Sequence, residues 1–373
     1  MVPGGTPLDD ERTLLAGFTA QLGERLPRTW RARLDEGEPP LVAGARPDAV
    51  LVLEAPDGRA AGIGVDVRLS FYPRDVYAMS SQLGSLWPNA PRPAGRRGLS
   101  PGLAAWLVLS RFLTPRTRAL LTEAGFSYAD ASGNVRIDLS NPPLFVEFQG
   151  ADTNPKPRDQ TLQSLRGTGA TRVVRALLDY RPPHTLRKLA ARANLPLGTA
   201  SRTISYLVDE ALVFREGRGP IERVDWQGLI RRWARDYSLL ASNRSSFYLE
   251  PRGPQALVER LRGLSMPYTL TGSFAVVPQA RVAEPALAAV YVPDARRAAQ
   301  ELNLQTVAGI GNVVLLEPPA KDVFQSPREV DGFACASLTQ VAVDLLTSPG
   351  RGPVEGEALI EWMAKNEDAW RRP

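Results

Sequence analysis

Residues 186–226, LRKLAARANLPLGTASRTISYLVDEALVFREGRGPIERVDW, hold two short helical patterns, a tight turn and an arginine-bearing ribbon. Apolar spacing switches from the helical to the strand period within this stretch, so few folds can accommodate it. Upstream, TRVVRALLDY puts Val173, Val174, Leu177 and Leu178 at helical spacing until Pro182 and Pro183 stop it. Thr185 can then cap LRKLAARAN, whose inner face is Leu186, Leu189, Ala190 and Ala193. LPLG turns the chain into TASRTISYLVDEAL, with Ala200, Ile204, Leu207, Val208 and Leu212 predicted to point inward. The other face is predicted to show Thr199, Ser201, Arg202, Thr203, Ser205 and Tyr206. VFREGRGPIERVDW then reads as a β-hairpin around a Gly-Arg-Gly-Pro turn, carrying Arg215, Arg218 and Arg223. Three helices followed by a hairpin make a winged helix-turn-helix, or a protein-interaction module of the same shape.

Charge separates those two readings. Residues 166–240 carry 14 Lys and Arg against 7 Asp and Glu, whereas residues 1–165 carry 18 against 18 and residues 241–373 carry 13 against 15. The whole formal excess of +5 therefore comes from the middle segment. A local basic surface is the electrostatic footprint of a nucleic-acid binder. On this reading Thr199, Ser201, Arg202, Thr203 and Tyr206 face a groove of double-stranded DNA, and Arg215, Arg218 and Arg223 hold its backbone.

Other classes are set aside by what the chain lacks. No apolar run approaches the ~20 residues of a membrane span. The N-terminus, MVPGGTPLDDERTLLAGF, is acidic where a secretory signal is basic. A cytoplasmic location is therefore expected. Cys335 is the only cysteine and His184 the only histidine, which excludes internal disulfides and His- or Cys-rich metal clusters. Cys335 reads as a small core residue on an apolar helix, and His184 as a surface-loop residue after RPP. No cofactor, metal or catalytic residue is expected.

Residues 40–150 alternate strand and helix patterns. RPDAVLVLEAPDGRAAGIGVDVRLSF suggests two strands around Pro56–Gly58, with Asp48 opening the first and Asp66 in the second. LTPRTRALL begins a helix capped at Thr114 with Pro115 in first position. This order resembles the restriction-endonuclease-like core, whose signature pairs an acid in a Pro-Asp context with Asp/Glu-X-Lys on the next strand. Pro47-Asp48 and Asp66-Val67-Arg68 stand in the corresponding places. Two carboxylates would bind Mg²⁺, but an arginine stays protonated and cannot take the lysine's part in activating water. The resemblance thus implies a degenerate nuclease fold used for binding, with a Mg²⁺-dependent nuclease on Asp48 and Asp66 as the alternative.

AGFSYADASGNVRI, residues 124–137, is similar to the segment preceding the winged helix in large AbiEi-like regulators, the antitoxins of type IV abortive-infection systems. That resemblance, strongest over residues 105–240, implies a transcriptional autorepressor and a protein toxin as a possible partner. Near the C-terminus, Gly272-Ser273 after YTLT resembles the start of a nucleotidyltransferase core, where a helix following Gly-Ser cradles phosphate. The next strand there needs Asp-X-Asp, yet ALAAVYV, residues 286–292, has no acid. Gly309-Ile310-Gly311 is too short for a phosphate loop.

The expectation is a multidomain α/β and α+β chain: an inactive restriction-endonuclease-like domain over 1–155, a central winged helix over 166–240 and an inactive nucleotidyltransferase-like domain over 245–373. DTNPKPRDQTLQSLR, residues 152–166, reads as an exposed linker, and LIRRWARDYSLLASNRSSFYL as one long connecting helix. The function expected is sequence-specific DNA binding as a transcriptional repressor, with a homodimer suited to paired half-sites. An antitoxin acting mainly through protein contacts, or a regulator answering a small molecule, would differ in what the outer segments bind.

Overall fold

The computed structural model describes residues 11–41, 44–83, 103–155, 164–276, 280, 282–309, 311–325 and 327–373. The chain is mixed α/β, with two seven-stranded mixed sheets and a two-stranded hairpin. It divides into two compact units, residues 1–160 with Asp209–Ala211, and residues 161–208 with 212–373.

In the first unit, α1 (Glu11–Arg25) buries Leu14, Phe18 and Leu22, a single stripe at i, i+4, i+8. The strands β1 (Arg31–Leu34), β2 (Ala49–Glu54) and β3 (Ala60–Arg68) form an antiparallel meander, with the expected turn at Gly58 in the left-handed region. After α2 (Pro73–Leu83), β4 (Leu103–Ser110) runs parallel to β3. LAAWLVLS, whose apolar run alone would suit a strand or a helix, is a strand, and it is buried on both faces, as a central parallel strand must be. α3 (Pro115–Glu123), capped by the Thr114 hydroxyl as the sequence predicts, leads to β5 (Ser127–Asp130), parallel to β4. β6 (Val135–Ser140) and β7 (Pro143–Phe148) complete the sheet antiparallel, in strand order β1 to β7.

The ADASGN motif turns β5 into β6. Buried Asp130 accepts hydrogen bonds from the Leu113 and Ser132 amides, the Ser132 hydroxyl, and the Asn134 amide and side chain, all within 2.7–3.1 Å. Asn134 in turn accepts from Gly150 at 2.8 Å, where any Cβ would stand 2.2 Å from the Ser132 carbonyl. These residues shape a turn whose polar groups are satisfied internally.

The second unit begins with α4 (Thr168–Asp179), α5 (Leu186–Arg192) and α6 (Leu197–Asp209), followed by the hairpin β8 (Val213–Arg215) and β9 (Ile221–Val224), then α7 (Trp226–Asp236). Thr185 caps α5 by accepting from the Lys188 amide, as expected. His184 exchanges two backbone hydrogen bonds with Ile221, at 3.0 and 2.8 Å, so a one-residue strand docks on the hairpin. His184 is therefore buried, not in a surface loop: the strand pairing outweighs the turn signal of the prolines before it. Burial and the nearby Arg192 and Arg371 guanidiniums push its pKa down to about 4, so it is neutral at pH 7.

A second sheet follows, built from β10 (Arg244–Leu249), β11 (Thr269–Thr271), β12 (Ala288–Tyr291), β13 (Gln305–Thr306), β14 (Val313–Glu317), β15 (Arg328–Val330) and β16 (Phe333–Cys335), in order β13-β10-β14-β12-β11-β16-β15. The helices α8 (Pro254–Arg260), α9 (Ala295–Glu301), α10 (Leu338–Leu346), α11 (Gly352–Lys365) and α12 (Glu367–Trp370) complete the unit. Two expectations are corrected here. The chain from Tyr237 to Asn243 is a loop before β10, not part of a long helix, because Asn243 and Ser242 cap the loop by bonding Leu239 and Ser238. Cys335 ends a strand, and Ser337 caps the helix that begins only after it; burial pushes the thiol pKa up to about 11. Gly311 is needed for packing, since a Cβ there would lie 1.9 Å from the Tyr248 carbonyl; Ile310 lies outside the described residues.

Residues 166–240 and 245–373 share one hydrophobic core, from Val173 on α4 through Trp233 on α7 to Val341 on α10 and Ile360 on α11, where two separate domains were expected. Polar contacts extend this packing. Buried Arg371 donates to the Leu177, Leu178 and Tyr180 carbonyls, satisfying the exposed carbonyl end of α4 from the C-terminus of the chain. No helix among the described residues is long and apolar enough to cross a membrane.

Candidate nucleic-acid interface

The helix α6 follows a short turn after α5, and its outward stripe is narrower than the sequence suggests. Ala200, Thr203, Ile204 and Leu207 are buried, at i, i+3, i+4 and i+7. Thr203 thus lies on the inner stripe, 2% exposed, and its hydroxyl bonds back to the Thr199 carbonyl at 3.1 Å. It cannot reach a base. Thr199 is half-buried with its methyl against α4, where a Cβ on Gly169 would stand 3.1 Å from it. Tyr206 is also drawn inward: its ring packs on the core, its hydroxyl accepts from the Arg232 guanidinium of α7, and that guanidinium also pairs with Asp236 at 2.7 Å. What remains outward is Arg202 and Ser205, both exposed, with half-buried Ser201 beside them. At Gly198, one turn before Arg202, a Cβ would meet nothing within 4 Å, so a neighbouring surface could approach the backbone closely there.

The hairpin places its three arginines differently. Arg218 is exposed in the turn between Gly217, at a positive φ of 51°, and Gly219. Arg223 stacks 3.4 Å from the centroid of the cross-strand Phe214 ring, which fixes its guanidinium on the ribbon face. Arg215 is half-buried at the β8 end. Glu216 and Glu222 are exposed on the same ribbon, so the hairpin's own excess is small. The helix α5 adds two exposed cations that sequence reading passed over, Arg187 and Lys188 in its first turn. Two consecutive cations directly after the Thr185 cap were the available signal.

The N-terminal carboxylates are brought together as the sequence anticipates. The Asp48 carboxylate accepts from the Val67 amide at 2.7 Å, next to Asp66 on β3. Burial raises the Asp66 pKa; Arg68, donating from Nε at 2.8 Å, opposes that, and the Asp48 carboxylate adds to it. A guanidinium therefore already neutralises Asp66 where a cation would bind, and among the described residues no group of three acidic, His or Cys side chains could hold a metal ion. The donor set does not fit Mg²⁺, which prefers six oxygen ligands. Gly272-Ser273 opens only a four-residue 3₁₀ turn, and the Ser273 hydroxyl is taken by Glu355, so no phosphate-cradling helix forms there.

Sequence reading missed Asp344 altogether. It is fully buried on α10 and accepts from Thr271 at 2.6 Å, Tyr237 at 2.8 Å, Gln340 at 2.8 Å and Tyr291 at 2.9 and 3.0 Å. Burial drives its pKa up to about 6 against those four donors. A lone acid inside the apolar run LTQVAVDLL was the signal.

No protein-family model matches this chain, no curated protein matches it and no solved structure matches it.

Proposed function

We propose that this chain is a sequence-specific DNA-binding transcriptional regulator, acting as a repressor, with α6 as the helix that enters the major groove. The observation that carries this reading is the order α4, His184 strand, α5, α6, β8, β9, which together with the positive charge of residues 166–240 supports a winged helix used on DNA. Arg202, Ser201 and Ser205 are the groove-facing set. Arg187, Lys188, Arg218 and Arg223 supply phosphate contacts, which give affinity and salt dependence without sequence preference.

The N-terminal unit's order of one helix, an antiparallel meander, a second helix and a parallel strand supports a restriction-endonuclease-like core, and with Arg68 on Asp66 its role is binding rather than cleavage. The Gly-Ser turn after β11 is the one feature in favour of a nucleotidyltransferase-like origin for the C-terminal sheet, and with no acid on β12 its role would again be binding. A homodimer would present two copies of α6 to paired half-sites.

The test is binding of the purified protein to a duplex from its own upstream region and to a scrambled duplex, at two salt concentrations with Mg²⁺ present, with strands run on a denaturing gel. Tighter, salt-sensitive binding to the upstream duplex with intact strands is the expected result. Strand scission abolished by Asp66→Ala would replace the regulator with a nuclease, and failure to bind either duplex alongside a co-purifying protein would replace it with an antitoxin acting by protein contact. Arg218→Ala should flatten the salt dependence by about one counterion and weaken both duplexes alike, by a few-fold. Unequal losses would mean that the wing reads sequence.

A further inference from the structure

Within the second unit, a cavity of about 510 Å³ opens between the start of α4, the loop after α7 and the segment following β14. Its floor is the buried hydroxyl of Tyr291 and the amide of Gln340, both members of the Asp344 network. Half-buried Arg175 of α4 lines its wall, and exposed Arg166 and Arg235 stand at its rim. The two acids that line it are already engaged: Asp236 by Arg232 and the Leu165 amide, and Asp322 by Arg172 at 2.8 Å. The side chains of Arg175 and Arg235, by contrast, donate no hydrogen bond among the described residues, although the Asp179 carboxylate four residues along α4 lies within electrostatic reach of Arg175. The cavity lining keeps a cationic excess through Arg166, Arg175 and Arg235, with hydroxyl and amide groups below and prolines on the opposite lip. Volumes of this size hold small organic ligands, and guanidiniums match the oxygens of a phosphate group.

We propose that this cavity binds a small molecule carrying a phosphate on a hydroxylated, ring-bearing body, the chemistry of a nucleoside monophosphate or a sugar phosphate. The phosphate meets Arg175 and Arg235, and the hydroxylated body meets Asn243, Ser242 and Gln340. Its walls join α4 and α7 of the winged helix to β12 and α10 of the second sheet, so an occupant ties together elements from both halves of the unit. On the regulator reading above, that occupant is an effector that changes DNA affinity; the binding step stands without that reading.

The experiment titrates the full-length protein, without DNA, with AMP, GMP, CMP, UMP, ribose 5-phosphate and inorganic phosphate by isothermal calorimetry. Saturable binding of a nucleotide or of the sugar phosphate, weakened at least tenfold in both Arg175→Met and Arg235→Ala, is expected; Arg235 is exposed, so its loss leaves folding intact. Saturation by a nucleotide but not ribose 5-phosphate would identify a base-reading site, and the reverse a sugar-phosphate site. No saturable binding of any probe at millimolar concentration, binding of inorganic phosphate as tight as the best organic probe, or organic binding unchanged in both variants would overturn the proposal. Repeating the DNA titration with the bound probe separates the two ideas: unchanged DNA affinity removes the effector role while the site remains, whereas no DNA binding in any condition fails the regulator reading alone.

Discussion

Asp344→Ala is expected to destabilise the second unit by about 3–5 kcal/mol, measured by urea unfolding at pH 7. The substitution removes the shared acceptor of four donors, the hydroxyls of Thr271, Tyr237 and Tyr291 and the amide of Gln340, three of them on buried side chains. One tyrosine hydroxyl can still donate to the other at 2.9 Å, but the remaining donors lose their water on folding and regain nothing, which is why removing the shared partner costs more than any one bond. A loss under 1 kcal/mol would mean that the cluster rehydrates or re-pairs. Asp344→Asn isolates the charge. A carboxyl whose pKa is higher when folded contributes stability that is fully present below its unfolded value near 3.8 and lost as pH rises through about 6. Between pH 4 and 6 the wild type should therefore lose stability relative to Asp344→Asn, by up to roughly 3 kcal/mol. A difference that stays flat across that window would show that the folded carboxyl titrates at its ordinary value.

This network also marks where sequence reading stopped. The three helices and the hairpin of residues 168–224 were legible because their signals are local: Thr185 caps α5, apolar residues recur every three to four positions, and Gly-Arg-Gly-Pro closes the hairpin. Thr203 was misplaced although its position was readable, since it stands at i+3 from Ala200 on the buried stripe. Tyr206 was not readable, because the group that draws it inward, Arg232, is 26 residues away on another helix. The same holds for Asp344, whose donors come from β11, β12 and the loop after α7, and for Arg371, which reaches α4 across 193 to 194 residues. His184 was obscured differently: its prolines signal a turn, and only the hairpin to which it pairs makes it a strand. Asp48 and Asp66 come side by side because β2 and β3 are neighbours in a meander, as the two strand patterns around Pro56–Gly58 implied.

Arg202→Ala is expected to weaken binding to the upstream duplex by about ten- to a hundredfold, the ~1–3 kcal/mol of one well-made base contact, and to weaken the scrambled duplex much less. The helix α6 shows few other polar side chains to solvent. With Thr203 and Tyr206 turned inward and the Thr199 methyl packed against α4, Arg202 is the longest donor on the exposed stripe and the one with a forked geometry suited to a guanine edge. Neighbouring Ser201 and Ser205 are too short to substitute for it across the same gap. Thr203→Val supplies the control. Its hydroxyl is bonded within the helix at 3.1 Å and buried, so DNA affinity should change by less than about twofold, even if stability falls by the ~1 kcal/mol of one hydrogen bond. Equal losses on both duplexes for Arg202→Ala would make it a phosphate contact and shift base reading to the serines. A loss for Thr203→Val as large as that for Arg202→Ala would mean that helix geometry, rather than the exposed stripe, governs recognition.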